Sequence, residues 1–201
     1  ERWLAEQGDA VRAGEMRERA DRAGDSFNRR FWSDEVGHLL DIVDGDEGDD
    51  PALRPNQLLA ISLPNPVLAQ GRWKPVLEAC RRELLTPVGL RSLAPGHRDF
   101  KPTYHGDLLT RDAAYHQGTV WSWLIGPFVD AHLKVYPDDR ASARRLLDGL
   151  VAHLGEAGIG TVSEVFDARQ PFTPRGCVAQ AWGVAELLRC LVATSPPRPP
   201  R

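Results

Sequence analysis

Several broad classes are excluded by what the 201-residue sequence lacks. It has no surplus of either charge, with 25 Lys and Arg against 28 Asp and Glu and a formal net charge of −3. That balance leaves no basic footprint for nucleic acid or for an anionic membrane surface. No uninterrupted apolar run is long enough to cross a bilayer, and no stretch reads as a signal peptide. The three cysteines, Cys80, Cys177 and Cys190, are odd in number and show no paired spacing. They are expected to be buried free thiols in a reducing compartment. His116 and His132 stand too far apart for a zinc site, with no cysteine near either, and neither metal nor cofactor is expected. No nucleophile-elbow motif surrounds a serine or cysteine. No repeat period supports a solenoid, and no segment reads convincingly as a strand. The chain opens on Glu1 and its one methionine is Met16, so a cut from a longer polypeptide is the expectation.

What is present centres on the stretch Tyr115-His116-Gln117-Gly118-Thr119-Val120-Trp121-Ser122-Trp123-Leu124-Ile125-Gly126-Pro127-Phe128. Three polar side chains open it, then a glycine and a threonine able to cap a helix. The apolar residues from Val120 to Val129 would lie on every side of a helix, which must then be buried all round. A polar cluster at the mouth of such a helix reads either as a pocket rim or as the cap of a core helix. Pro127 is expected to kink the helix by removing its bond to the Trp123 carbonyl. The 6 Trp are many for this length, and indole faces suit carbohydrate, although most tryptophans are simply core.

Along the chain, polar-faced helices are expected at 1–32, 72–85 and 138–156, and helices apolar nearly all round at 55–63, 117–136 and 176–193. Residues 86–110 and 158–175 read as long irregular connections of the kind that carry function. The acidic run 44–50 has its glycine one residue too early for a calcium loop and reads as a solvated turn. The tail 194–201 is proline-rich and is expected to be extended or disordered. Helices that alternate in this way suggest an all-α fold, with three hairpins forming an arc of a toroid. The entrances of the inner helices would then share one face. Arg54, Asn56 and Gln57, then Tyr115, His116 and Gln117, then Glu164 and Asp167 would converge there on one cavity.

The candidate acids are Asp107, Asp112, Glu164 and Asp167. Glycoside hydrolysis needs one carboxylic acid to protonate the leaving oxygen and a second carboxylate to activate water or attack directly. Glu164, set among apolar neighbours in Thr161-Val162-Ser163-Glu164-Val165-Phe166-Asp167, is the best single candidate for a general base. A capping or salt-bridging role is the plain alternative. His116 could be a base or a ligand for a sugar hydroxyl.

A family resemblance rests on five stretches taken together. They are Leu53-Arg54-Pro55-Asn56-Gln57-Leu58 with Ser62-Leu63-Pro64; Leu85-Thr86-Pro87 with Gly89-Leu90-Arg91-Ser92-Leu93; Arg111-Asp112-Ala113-Ala114-Tyr115-His116-Gln117-Gly118-Thr119-Val120-Trp121; Gly160-Thr161-Val162-Ser163-Glu164 with Phe166-Asp167; and Pro174-Arg175-Gly176-Cys177 with Ala179-Gln180-Ala181-Trp182. In this order they resemble the amylo-alpha-1,6-glucosidase catalytic domain of the bacterial and archaeal type of glycogen debranching enzyme. The resemblance implies an (α/α)6 toroid, of which residues 1–193 would be the C-terminal half. It implies inverting hydrolysis of single α-1,6-linked glucosyl stubs on glycogen or another branched α-glucan, in the cytoplasm. Glu164 falls at the position of the family's general base. Arg54, Asn56, Gln57, Asp112, Tyr115, His116, Gln117, Trp121 and Asp167 are the implied substrate contacts.

The sequence departs from that pattern in three places. The family's general acid, an aspartate in a Thr-Trp-Met-Asp stretch of the preceding half, has no counterpart, so residues 1–201 alone are expected to be inactive. Ala168 and Phe172 replace a glycine and a histidine. Ser122 replaces a proline, with an effect expected on packing only. The alternatives are a non-catalytic glucan-binding or structural fragment, or another (α/α)6 enzyme such as a glucoamylase or trehalase.

Overall fold

A computed structural model describes residues 1–196. Most of the tail expected over 194–201 lies outside them. Among the described residues, no helix is long and apolar enough to cross a membrane.

The helix Ala10–Arg30 opens on Asp9, whose carboxylate accepts from the Arg12 N–H at 3.1 Å. It is polar on most of its surface and buries only Ala13. Its C-terminal end is fastened by Phe27 and Phe31, stacked at 4.8 Å and packed against the core. The acidic run forms a hairpin, Ile42–Gly45 against Gly48–Asp50. Pro55 then starts a 3-10 turn, Pro55–Leu58, that runs into the short helix Leu59–Ser62. The amphipathic helix Trp73–Glu83 turns Val76, Leu77, Ala79 and Cys80 inward.

The expectation of an all-α (α/α)6 arc built from three helical hairpins is corrected by a sheet. Five strands pair antiparallel in chain order: Leu85–Thr86, Gly89–Arg91, Val120–Trp121, Val165–Phe166 and Pro174–Arg175. Helices make up 48% of the structure and strands 11%, so the chain is mixed rather than all-α. The strands escaped detection because two or three residues are too few to display an alternating pattern, which needs about 4–8.

The central stretch changes accordingly. Val120–Trp121 is the middle strand, Ser122–Leu124 a 3-10 turn, and the helix proper is Ile125–Val135. Pro127 lies in that helix's first turn, where its missing N–H has no intrahelical partner to lose, so no kink is required. The expected helix over 138–156 is two short ones, Arg140–Arg145 and Asp148–His153. The last helix, Ala181–Ala193, buries only Gly183, Leu187 and Cys190, while Trp182, Leu188 and Val192 stand exposed.

The core lies between the Ile125–Val135 helix, Trp73–Glu83 and the sheet, with Leu77, Leu84, Leu90, Val120, Phe128, Val165 and Phe166 fully or almost fully enclosed. Cys80 and Cys190 are buried, and burial pushes both thiols up, Cys190 to about 12. Cys177 is exposed, contrary to expectation.

Candidate functional site

Glu164 stands directly before the buried strand Val165–Phe166, which pairs with Val120–Trp121 on one side and Pro174–Arg175 on the other. The strand's approach is pinned from beneath. His153 is fully buried, and its Nε2 accepts from the Ser163 N–H at 3.3 Å and lies 3.1 Å from the Ser163 hydroxyl. The Glu164 N–H donates to the Cys177 carbonyl at 2.9 Å. The Glu164 carbonyl accepts from the Ser122 N–H at 3.4 Å and the Ser122 hydroxyl at 3.2 Å. Ser122 therefore does more than pack, since a proline would have no N–H to give.

The half-buried Glu164 side chain meets two donors. The Tyr115 hydroxyl donates to Oε1, and the Cys177 N–H donates to Oε2 at 2.8 Å. Each oxygen thus accepts one hydrogen bond from the protein. Burial, and then the bond to Glu164, raise the Tyr115 hydroxyl well above the usual tyrosine range, so it remains a donor. Gly176 makes the second donor possible. Its φ is +67°, and a Cβ there would stand 2.5 Å from Oε2.

Tyr115 ends the helix Leu108–Tyr115, whose N-cap Asp107 accepts from the Thr110 N–H at 2.8 Å. Hydrogen bonds from the Thr110 side chain and backbone hold the Asp107 carboxyl below the usual carboxylate range. Asp107 is thus a cap. Asp112, on the same helix, is exposed to solvent. Gly118 closes the turn after the helix with a φ of +134°, and a Cβ there would meet the Lys101 carbonyl at 2.6 Å.

Asp167, at the other end of the Glu164 strand, is buried and engaged. Its Oδ1 accepts from the Tyr104 N–H at 2.8 Å, and its Oδ2 from Arg175 Nε and Nη2 at 3.2 and 3.0 Å. It fastens the 102–104 loop and the edge strand. Gln57 is also buried, its amide spanning the Leu39 N–H and the Arg54 carbonyl.

The remaining expected residues surround an open cavity of about 480 Å³, lined by Arg54, Asn56, His116, Gln117 and Trp121, and also by Asp41, Ser92, Trp123 and Trp182. Arg54 organises this wall. It donates to the Ser92 and His116 carbonyls at 3.1 and 2.7 Å and to Gln117 Oε1 at 2.8 Å, and it pairs with Asp41 at 3.0 Å. Asp41 also accepts from Asn56 Nδ2 at 3.2 Å. The His116 and Trp121 rings stack at 5.2 Å with 4° between their planes, and Tyr115 packs against both. Glu164 adjoins this group through Tyr115, outside the lining of the cavity itself.

Asp41, Ser92, Trp123 and Trp182 were missed as site residues. Nothing in the pattern around Asp41 marks it. Trp182 lies inside a family-like stretch and Trp123 in the central stretch just past another, and aromatic faces beside a polar cluster were the available signal.

A family model described as amylo-alpha-1,6-glucosidase matches residues 3–189. The glycogen debranching enzyme of Saccharomyces cerevisiae is 29% identical over 106 residues, which is 48% of this chain and 7% of that protein. The chain therefore matches only a small part of the length of that relative.

Proposed function

This chain belongs to the amylo-alpha-1,6-glucosidase family, and we propose that it provides the general base and part of the sugar-binding surface for hydrolysis of α-1,6-linked glucosyl stubs on glycogen or another branched α-glucan. The observation that carries this reading is the Glu164 carboxylate, held by the Tyr115 hydroxyl on one oxygen and the Cys177 N–H on the other, beside the stacked His116 and Trp121 rings.

In an inverting reaction the base takes a proton from water as that water attacks the anomeric carbon on the face opposite the leaving oxygen. Each Glu164 oxygen accepts one bond from the protein and keeps a lone pair for that water. The two fixed donors orient the carboxylate without a neighbouring positive charge of the kind Arg175 brings to Asp167. His116, Gln117, Asn56 and Trp121 line the cavity beside it and suit the hydroxyls and faces of a pyranose. Arg54 acts at one remove, since its guanidinium holds the backbone and side chains that do the contacting.

The reaction also needs an acid on the leaving oxygen. Asp41 and Asp167 are each engaged with an arginine, Asp107 is a helix cap, and Asp112 stands exposed outside the lining of the cavity. We therefore assign the acid to a part of the polypeptide outside these 201 residues, with residues 1–193 acting as one portion of a larger catalytic unit. A glycogen substrate implies action in the cytoplasm.

The test is Glu164→Gln in the full-length enzyme acting on limit dextrin. Turnover should fall by about 10²–10⁴-fold, the range for loss of a general base, with the melting temperature near wild type. A variant that melts earlier but turns over at close to the normal rate would make Glu164 a structural residue.

A further inference from the structure

We propose that Trp123 and Trp182 form a second sugar platform, which holds the glucose unit of the glucan chain from which the stub is released. This rests on the hydrolytic reading above and extends it to the leaving sugar.

The two indoles stack at 4.2 Å with 8° between their planes, and both line the same 480 Å³ cavity as His116 and Trp121. The cavity wall thus carries two flat aromatic pairs. One adjoins Tyr115, and through it Glu164. The other is carried by the 3-10 turn Ser122–Leu124 and the first turn of Ala181–Ala193. Cleavage of a glycosidic link between two glucoses requires two sugars to be held, one on each side of the breaking bond. A cavity with one platform would hold only the sugar that is attacked.

Trp182 is 54% exposed even though it is stacked on its partner, so much of this large apolar residue is left uncovered by the described residues. The ring is held there by the backbone. Gly183, next to it, lies so close to Ser122 that a Cβ would stand 2.6 Å from the Ser122 hydroxyl oxygen. That contact locks the start of the last helix against the turn that carries Trp123. A rigid indole face loses little freedom when a pyranose ring settles on it. Polar groups of the same wall, Asn56, Ser92 and Gln117, lie within the cavity to meet hydroxyls at its edge. A wall that mixes aromatic faces with hydroxyl and amide groups suits a glucan better than an apolar helix would, and this decides between them.

The experiment compares limit dextrin with α-glucosyl fluoride, which carries no leaving sugar, using full-length enzyme with Trp182→Ala and Trp182→Phe. For Trp182→Ala, the ratio of kcat/KM on limit dextrin to kcat/KM on the fluoride should fall about 10-fold, mostly through KM on dextrin. Trp182→Phe should recover most of that ratio. An unchanged ratio would overturn the proposal, because the ring would then serve packing alone. If Trp182→Ala does not fold, oxidation of Trp182 in the wild-type enzyme by N-bromosuccinimide, mapped by mass spectrometry, gives the answer. Maltotetraose at saturating concentration should protect Trp182, and equal oxidation with and without it would overturn the proposal. Failure of the base assignment would look different, since Glu164→Gln would then turn over both substrates at normal rates while the Trp182 ratio still reported on the leaving sugar.

Discussion

The two ends of the strand Val165–Phe166 carry acidic residues with opposite fates. Glu164 precedes the strand and meets two uncharged donors, the Tyr115 hydroxyl and the Cys177 N–H. Asp167 follows it, buried, and is clamped by the Arg175 guanidinium and the Tyr104 N–H. The first retains capacity to accept a proton-bearing ligand. The second has its charge matched and its geometry committed to joining a loop to an edge strand. Carboxylates of one short motif can therefore be sorted by what donates to them, and proximity in sequence is a poor guide to shared duty.

That contrast can be broken at several points in the full-length enzyme. The largest effect is expected from Gly176→Ala. Its φ of +67° and the 2.5 Å approach of a Cβ to Glu164 Oε2 force the carboxylate to move. Misplacement of a catalytic group by about 1 Å costs on the order of 10²-fold in turnover, which steady-state kinetics on limit dextrin would measure. Normal turnover in that variant would show that the Oε2 contact does not matter.

Asp167→Asn should act on stability instead. It leaves the half-buried Arg175 without its counter-charge, at a cost of about 1–3 kcal/mol. Thermal melting should shift down by several degrees, while turnover of the folded protein stays within a few-fold of wild type. A selective loss of turnover at unchanged melting temperature would erase the distinction between the two carboxylates.

The smallest of the three effects belongs to Tyr115→Phe, which removes one of the two donors to Glu164 and keeps the ring against His116 and Trp121. A fall of about 10-fold in kcat with little change in KM is expected for loss of one hydrogen bond to a charged group. A rise in KM at constant kcat would make the hydroxyl a sugar ligand instead.

Part of this arrangement was legible in the sequence. Val76, Leu77, Cys80 and Leu84 recur at helical spacing, and the helix Trp73–Glu83 turns that stripe into the core. Of the polar residues of the central stretch, Tyr115 donates to Glu164, while His116 and Gln117 line the cavity beside it. The sheet was not legible, because its strands are only two or three residues long and are set by pairing between distant segments. The helices 125–135 and 181–193 also misled. Both are apolar nearly all round, yet the first is enclosed and the second exposes Trp182, Leu188 and Val192. Composition records a need for cover and does not say what supplies it. The pairing of Asp167 with Arg175 was not legible either, because the arginine comes eight residues later across a turn that no local pattern marks.

The most direct test is chemical rescue of Glu164→Gln in the full-length enzyme with azide and α-glucosyl fluoride, the product identified by NMR. If Glu164 activates water on the face opposite the leaving group, azide should restore turnover in proportion to its concentration and yield β-glucosyl azide. An azide-independent rate, or hydrolysis by the variant at the wild-type rate, would contradict the assignment of Glu164 as the base.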